Sequence, residues 1–371
     1  MKLKSFSVSK YFPSKIFPKL NRTLASSGLE KLSKPIFEVD NKSTAIFSIS
    51  IKDELRNKLK NTFSKNLSHY TLREQHLLFS YQKTVSELPS DIIGLVRDFK
   101  NCPNMSPVML LRNLPIDDDL PNTPCYGKYA SNKMSFVSES CLTGFSQLLG
   151  EIYCHADELG GNLIHNVCPE KGLEVSNTGG GSEKQLNFHI ENAYFRFRPD
   201  YLALFCLRND HEKHALTTLI DARDMIKKLT DEDIEILRQP LFSMRTPESF
   251  EKEYGKILWS EPRPIISGPS SSPEIIMRPS FEMKTLSQNA TRVLATINKK
   301  ILDSNIPSHN IKLEPGDLVI INNRRAIHGR SRFTPRYDGQ DRWLQRVYVT
   351  KDLWSARIDE QQDYRIIIKK E

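Results

Sequence analysis

The chain has 371 residues, 38% of them hydrophobic and 26% charged, with a formal net charge of +8 and a pI of about 9.0. These proportions belong to a folded protein, and the lack of any run of about 18 apolar residues excludes an integral helical membrane protein. The length allows one large core, and the basic excess gathers at the ends. Six Lys or Arg precede the first acid, Glu30, in a start that reads MKLKSFSVSKYFPSKIFPKLNR, and the tail ends IIIKKE. Between these ends acids and bases mix without a helix-turn-helix, zinc-finger or RNP pattern, so nucleic acid is not an expected partner. The start reads as a plain cytosolic N-terminus in preference to an organellar transit peptide, because it uses Lys over Arg, holds two prolines and shows no amphipathic stripe.

The 6 cysteines, at 102, 125, 141, 154, 168 and 206, include no Cys-x-x-Cys pair. That scatter predicts free, mostly buried thiols in a reducing, cytoplasmic setting.

In chain order, apolar spacings of three and four predict helices over 51–63 and 71–88, the second opened by a capping box of Thr71 and Glu74. PVMLLRNLPI reads as a strand ended by the turn-rich DDDLPNTPCYG, and 134–153 reads as one long helix. From about residue 160 the pattern changes to short strands with turn punctuation: GNLIHNVCPEKG, QLNFHIE, DYLALFCLR and ALTTLIDA. A helical insertion follows over about 221–238, then two extended stretches around the loop SGPSSSP, then the helix SQNATRVLATINKKILDS. LEPGDLVIINNRRAIHGR and DRWLQRVYVTKDL close the series. Many short strands with inserted helices predict a mostly β fold with α, an antiparallel barrel or jelly roll. The simplest division is one domain over 1–371, with a basic segment at 1–35, a mainly helical buttress at 36–155 and a catalytic core at 156–355.

The chemistry concentrates in QLNFHIENAYF. Side chains alternate along a strand, so His189 and Glu191 share one face, about 6.5 to 7 Å apart, while Phe188 and Ile190 take the other. Both are metal-binding groups, and His328, at the end of an apolar strand after the turn Pro315-Gly316-Asp317, supplies a third. Two histidines and a carboxylate form the facial triad of non-haem Fe(II) oxygenases, which leaves three positions open for a bidentate 2-oxo acid and O2. A dicarboxylate cosubstrate also needs cationic anchors. In DRWLQRVYV, Arg342 and Arg346 share a face with Leu344, and a guanidinium holds a carboxylate through two parallel hydrogen bonds.

GGNLIHNVCP, HIENAYFRFRPDYLALFCLRND, ALTTLIDARDM, PGDLVIINNRRAIHGR and PRYDGQDRWLQRVYV, in order from about 133 to 350, resemble the clavaminate synthase-like branch of the taurine dioxygenase superfamily. These Fe(II)/2-oxoglutarate oxygenases include hydroxylases of free arginine, asparagine and lysine. The resemblance implies a double-stranded β-helix core with His189, Glu191 and His328 on Fe(II). It implies Arg342 on the far carboxylate of 2-oxoglutarate, assisted by Thr217 or its neighbour Thr218, and Arg346 on the α-carboxylate of an amino-acid substrate. It implies O2-dependent hydroxylation at a β or γ carbon, with release of succinate and CO2. Glu191 as the carboxylate ligand suits this branch, and Ile190 replaces the Thr commonest in the middle of the motif. Relatives acting on arginine carry acids after a P-x-x-R strand, where this chain has Pro279 and Ser280, with Glu282 just beyond; a guanidinium substrate is not supported.

Other readings stay open at this level. The same chemistry could desaturate or cyclise, or act on a carrier-bound amino acid. Two His and one Glu also hold catalytic zinc, but His-Glu-x-x-His is absent and hydrolysis gives the paired arginines no task. A non-catalytic binding protein is the last alternative. A lone His-x-Glu is commonly structural, and the arginines could be a solvated strand face. His155, His165, His211, His214 and His309 have no comparable sequence partners and read as surface or polar-loop residues. Gly179–Gly181 lacks the Lys-Ser/Thr of a phosphate loop and reads as a lid beside the metal.

Overall fold

The computed structural model describes residues 36–40, 43–65, 75–130, 132–359, 361–363 and 365–368. The basic segment 1–35 and the Thr71/Glu74 capping box lie outside the described residues. From the N-terminal side, strands β1 (Phe37–Asp40) and β2 (Ile46–Ile51) precede helices α1 (Asp53–Ser64), α2 (Gln75–Glu87) and α3 (Ser90–Asn101). The apolar spacing of α1 buries Leu55, Leu59 and Phe63, and that of α3 buries Ile92, Val96 and Phe99. Then come β3 (Val108–Arg112), α4 (Val137–Gln147), β4 (Glu151–His155), β5 (His165–Val167), β6 (Leu186–His189), β7 (Tyr201–Arg208) and β8 (Leu216–Asp221).

The long helix expected over 134–153 is therefore shorter, and its last turn is strand β4. A side chain at Gly150 would meet the Thr350 carbonyl oxygen at 2.1 Å. Beyond that close approach EIYCH buries itself against another strand instead of continuing the helix. The strands β1 and β2 also went unread in the sequence.

The insertion forms α5 (Ala222–Ile226) and α6 (Asp231–Leu237), the latter capped by the Thr230 side chain on the Asp233 amide. Next are β9 (Phe242–Met244), α7 (Glu248–Tyr254), β10 (Ile266–Ser267), β11 (Glu274–Ile275), β12 (Met283–Thr285) and α8 (Gln288–Leu302), whose cap is Ser287 on the Ala290 amide. β13 (His309–Lys312), β14 (Leu318–Asn322), β15 (Ala326–Arg330), β16 (Trp343–Thr350), β17 (Gln361–Asp363) and β18 (Ile366–Ile367) complete the order.

Two sheets organise the unit Phe37–Glu371. The larger runs β1-β2-β3-β14-β7-β16-β4-β18-β17, with β5 also on β16; the smaller runs β13-β8-β15-β6. One core is shared between them. Leu202, Leu204, Val319, Ile321, Leu344 and Tyr348 of the large sheet pack with Leu219, Ile311 and Ala326 of the small one. Alternation puts the next residues outside: Ile220 and Ile327 join Met225, Leu237, Val293 and Ile297 in a second core with α5, α6 and α8. On the far side of the large sheet α4 packs on β16 and β7, with α2 against α4. Strands β7 and β16 are thus covered on both faces, which explains why β7 is apolar almost throughout and why β16 is buried along its whole length.

The architecture is sheet-rich with eight helices among the described residues. No helix of the described residues is long and apolar enough to cross a membrane, and all six cysteines are free, four of them buried.

Helices α2 and α4 touch at Gly144, where a Cβ would fall 2.0 Å from Thr84 Oγ1 and 2.9 Å from the Ser80 carbonyl oxygen. Gly144→Ala is expected to destabilise the protein by about 1–3 kcal/mol through overpacking, measured as a lower midpoint in urea with an unchanged slope.

Candidate active site

The small sheet delivers two imidazoles to one point. β15 pairs with β6 so that His328 lies opposite His189, and β15 pairs with β8 so that His328 lies opposite Leu219. The ring centroids of the two histidines are 4.3 Å apart. Gly329 makes this approach possible, because a Cβ there would sit 2.5 Å from the Leu186 carbonyl oxygen. The sequence reading put His328 at the end of the strand after Asp317; it lies instead in the middle of β15, beyond the turn Asn323–Arg325.

The reading of His189 and Glu191 as one continuous strand is also corrected. β6 ends at His189, the Ile190 amide donates to the Met277 carbonyl at 2.9 Å, and Asn192 turns the chain with φ 53°. Ile190 faces away, fully buried in the outer core. Glu191 is fixed through its main chain by Asn323, a residue without a role in the sequence analysis. The Asn323 side chain accepts from the Glu191 amide at 2.9 Å and donates to its carbonyl at 3.1 Å and to the Pro199 carbonyl at 3.0 Å.

The result is a buried cluster. His189 Nε2 lies 4.0 Å and His328 Nε2 3.7 Å from Glu191 Oε2, and all three ligand atoms fall within 4.8 Å of one another. A divalent ion about 2.0–2.2 Å from each atom spans such separations. His189 and Glu191 also have the protonation a metal requires. Burial, then the His328 imidazole, pushes His189 down to about 3, leaving a neutral ring whose Nδ1 is 2.8 Å from the Asn187 carbonyl and whose Nε2 faces the cluster. Burial works to raise the Glu191 carboxyl, but Arg346, the His328 hydrogen bond and the two imidazoles overcome it and hold it well below the usual carboxylate range.

The cluster opens onto a cleft of about 830 Å³, open solvent included. Arg342 and Thr217 both line it, and Thr218 does not. Arg342 directly precedes β16 and is buried; its guanidinium lies 5.7 Å from the centre of the Phe333 ring and makes no ion pair with a carboxylate among the described residues. Burial lowers its pKa. A second buried guanidinium, Arg330, lies 5.1 Å from the centre of the same ring and was passed over in the sequence reading. It donates to the carbonyls of Gly181 at 2.7 Å, Ser331 at 3.2 Å and Lys184 at 3.3 Å, and burial followed by Arg342 brings its pKa down to about 9.

Arg346 lines the cleft two residues beyond Leu344, as the alternation predicts, but it is not a free cation. It donates to Glu158 at 2.8 Å and to Glu191 at 3.4 Å, and its Nη2 lies 2.7 Å from His165 Nδ1. The Tyr348 hydroxyl also donates to Glu158, at 2.9 Å. The other Glu158 oxygen, Oε2, is buried without a partner. Tyr126 closes the group from above, stacked against Gly179 and Gly180, where a Cβ would come within about 3 Å of its ring.

Two histidines are therefore not surface residues. His165 is buried beside Arg346, and burial together with that charge drives its pKa well below the ordinary value. His155 is stacked on Phe195 at 4.5 Å and burial lowers it to about 4. His211 has partners as well, Asp338 at 2.9 Å and Asp341 at 3.7 Å. Glu158 and His165 are distant in sequence from Arg346, and Asn323 from Glu191, so single-chain spacing carries no signal that joins them.

Residues 136–348 match the family described as taurine catabolism dioxygenase TauD, TfdA family, and the chain belongs to that family. Among curated relatives, the L-lysine 3-hydroxylase of Catenulispora acidiphila is 29% identical over 338 residues, 89% of this chain and 91% of that protein. The L-asparagine oxygenase of Streptomyces coelicolor is 32% identical over 271 residues, 73% of this chain and 78% of that protein. Among solved structures, asparagine oxygenase in complex with Fe(II), 2S,3S-3-hydroxyasparagine and succinate superposes with a TM-score of 0.78 at 26% identity, covering 87% of this chain and 99% of that one. The non-heme iron oxygenase OrfP in complex with Fe and alpha-ketoglutaric acid gives a TM-score of 0.74 at 26% identity, covering 87% of this chain and 100% of that one.

Asn323→Ala removes the clamp on the Glu191 main chain without touching a ligand atom. It is expected to weaken divalent-metal affinity about 10- to 100-fold, the range for residues that orient metal ligands. Anaerobic Co(II) titration followed by absorbance checks this, with His328→Ala as the variant that loses the site.

Proposed function

We propose that this protein is an Fe(II)/2-oxoglutarate-dependent dioxygenase that hydroxylates an unactivated C–H bond, at the β or γ carbon, of a free L-amino acid. The observation that carries the reading is the meeting in one cleft of three groups: the His189–Glu191–His328 cluster, an anion receptor at Arg342, and the Arg346–Glu158 pair. Bound iron with 2-oxoglutarate and O2 supplies oxidative decarboxylation to succinate and CO2, coupled to transfer of one oxygen atom to the substrate. The relatives named as lysine and asparagine hydroxylating enzymes, and neighbours carrying iron with succinate or alpha-ketoglutaric acid, support the same chemistry.

The chain's own residues then have distinct tasks. His189, Glu191 and His328 are the ligands, and they leave the cleft side of the ion open. Arg342 grips the distal carboxylate of 2-oxoglutarate, Thr217 adds a hydroxyl donor from β8, and Arg330 raises the positive potential behind them. Arg346 meets the substrate α-carboxylate. Glu158 Oε2, buried and without a hydrogen-bond donor, meets the α-ammonium, so the pair matches the two charges of a zwitterion. Tyr126 and the Gly179–Gly181 turn exclude water above it.

We take the two facing sheets to be a double-stranded β-helix, or jelly roll, with 156–355 as its catalytic core and 36–155 as a buttress within one domain. The substrate is a small molecule, with neither nucleic acid nor membrane as partner, and the setting is cytoplasmic.

A panel of the common L-amino acids with Fe(II), 2-oxoglutarate and O2, read by mass, is expected to show one oxygen gained on a panel member with matching succinate. Loss of two hydrogens would reassign the reaction to desaturation, and no change on any free amino acid would overturn the reading. Arg342→Met is expected to raise KM for 2-oxoglutarate about 100-fold with the substrate KM little changed, consistent with losing charge-assisted hydrogen bonds of about 1.5–3 kcal/mol each.

A further inference from the structure

The remaining wall of the cleft bears on the substrate side chain, and its dominant group is Arg278. That side chain is 7% exposed, and its charge is near enough to His189 to depress the imidazole. The preceding residue, Met277, accepts the Ile190 amide, so the wall is tied to the backbone between two metal ligands.

Arg278 forms an ion pair with Glu282, which is equally buried but does not line the cleft. Glu282 is further engaged from behind: its Oε1 accepts from Asn177 Nδ2 at 3.1 Å, and Asn177 Oδ1 accepts from the Asn187 amide at 3.2 Å. Arg278 Nε is buried and has no acceptor. The acid holds the guanidinium in place through Nη2, leaving the residue in the cleft lining with its Nε unbonded.

Three carboxylates do line the cleft. Glu191 faces the imidazoles, Glu158 is bonded to Arg346 and Tyr348, and Glu248 is exposed to solvent at the mouth. Against them stand four guanidinium groups, Arg278, Arg330, Arg342 and Arg346. An ammonium or guanidinium on the substrate side chain would be brought against Arg278 with no buried carboxylate left for it. A carbonyl oxygen would complete Arg278 instead, and an unfilled buried donor discriminates strongly against ligands that lack the acceptor. Ser280, next to the wall, is exposed and adds no charge.

We propose that Arg278, braced by Glu282 and Asn177, is the specificity-determining residue for the side chain. The substrate is an amino acid whose side chain ends in a carboxamide or carboxylate, and basic side chains are refused. This rests on the amino-acid hydroxylase reading above.

The test uses the full-length protein with Fe(II) and 2-oxoglutarate. L-Asparagine, L-glutamine, L-aspartate and L-glutamate are compared with L-lysine, L-ornithine, L-arginine, L-valine and L-leucine by product mass and kcat/KM, and by calorimetric binding under argon. The expected result is oxygen gain on a member of the first group, with kcat/KM at least about 100-fold above every other amino acid tried. Arg278→Met is expected to raise KM for that substrate at least tenfold and also to lower the melting temperature, because it leaves Glu282 buried without its partner. The inverted pair, Arg278→Glu with Glu282→Arg, is expected to bind L-lysine more tightly than the wild type does.

Oxidation of a basic or aliphatic amino acid at comparable or higher kcat/KM overturns the inference and leaves the hydroxylase reading standing. Loss of lysine turnover in Glu248→Gln would then place the side-chain receptor at the mouth. If no free amino acid gains oxygen, the hydroxylase reading itself fails and this inference falls with it. Should either variant fail to fold, the wild-type comparison alone decides.

Discussion

The register of β15 between β6 and β8 is the constraint from which the rest of the site follows. With His328 opposite His189 and Leu219, alternation sends His328 and Arg330 into the cleft and Ile327 into the outer core. A slip of one residue would exchange these faces, burying an imidazole and a guanidinium among Met225, Val293 and Ile297 while pointing Ile327 at the metal position. The register is therefore held by hydrophobic burial as much as by hydrogen bonds. It tolerates a local irregularity between His328 and Arg330, where Gly329 comes against the Leu186 carbonyl and any larger residue would collide.

The second sheet imposes the matching condition from across the cleft. β16 shows Arg346 and Tyr348 on its inner face, and Gln345 on the outer face donates to Glu139 at 2.7 Å. Lys133 joins Glu139 to Asp117 in a buried network beneath. Burial alone would raise Asp117, yet Lys133 and the Ser135 and Ser138 hydroxyls outweigh it and lower its pKa, whereas burial raises that of Glu139 where α4 meets the sheet. Buried ionic networks are weak evidence for stability, because desolvation offsets much of the Coulomb attraction. Their consequence is positional: Gln345 and Arg346 are neighbours on one strand, so whatever fixes the outer amide also fixes where the inner guanidinium emerges.

Much of this was legible in the sequence, for reasons that also mark the limits. His189, Glu191 and His328 are polar groups inside apolar patterns, and Arg342 and Arg346 follow at strand spacing, so a period of two singled them out even though Glu191 lies beyond the end of β6 and Arg342 just before β16. The helices within 221–238 and in SQNATRVLATINKKILDS were readable because apolar spacing is a local signal. What failed was nonlocal. The end of the 134–153 helix depends on Gly150 approaching Thr350, which lies across the fold. His165 was misread because its partner, Arg346, becomes adjacent only when β5 pairs with β16. Asn323 sits inside the quoted NNRR run, yet nothing in that run shows that its side chain will hold the Glu191 backbone.

The four arginines of the cleft differ chiefly in where their counter-charges lie, and that difference orders their chemistry. Arg346 has two carboxylates beside it, Arg278 has one behind the wall, Arg330 has three carbonyl oxygens, and Arg342 has no ion-paired acid among the described residues. A buried guanidinium with nothing opposite is costly, and the cost is relieved by an anion that carries its own charge into the cavity. Arg342 is consequently the strongest receptor for an entering dicarboxylate, while Arg346, already balanced, favours a ligand that brings both signs. The same ordering explains why His189, Glu191, His328, Arg342 and Arg346 could be read from spacing, whereas the rest of the cleft wall, built by residues 126, 158, 177, 248 and 278 from five separate segments, could not.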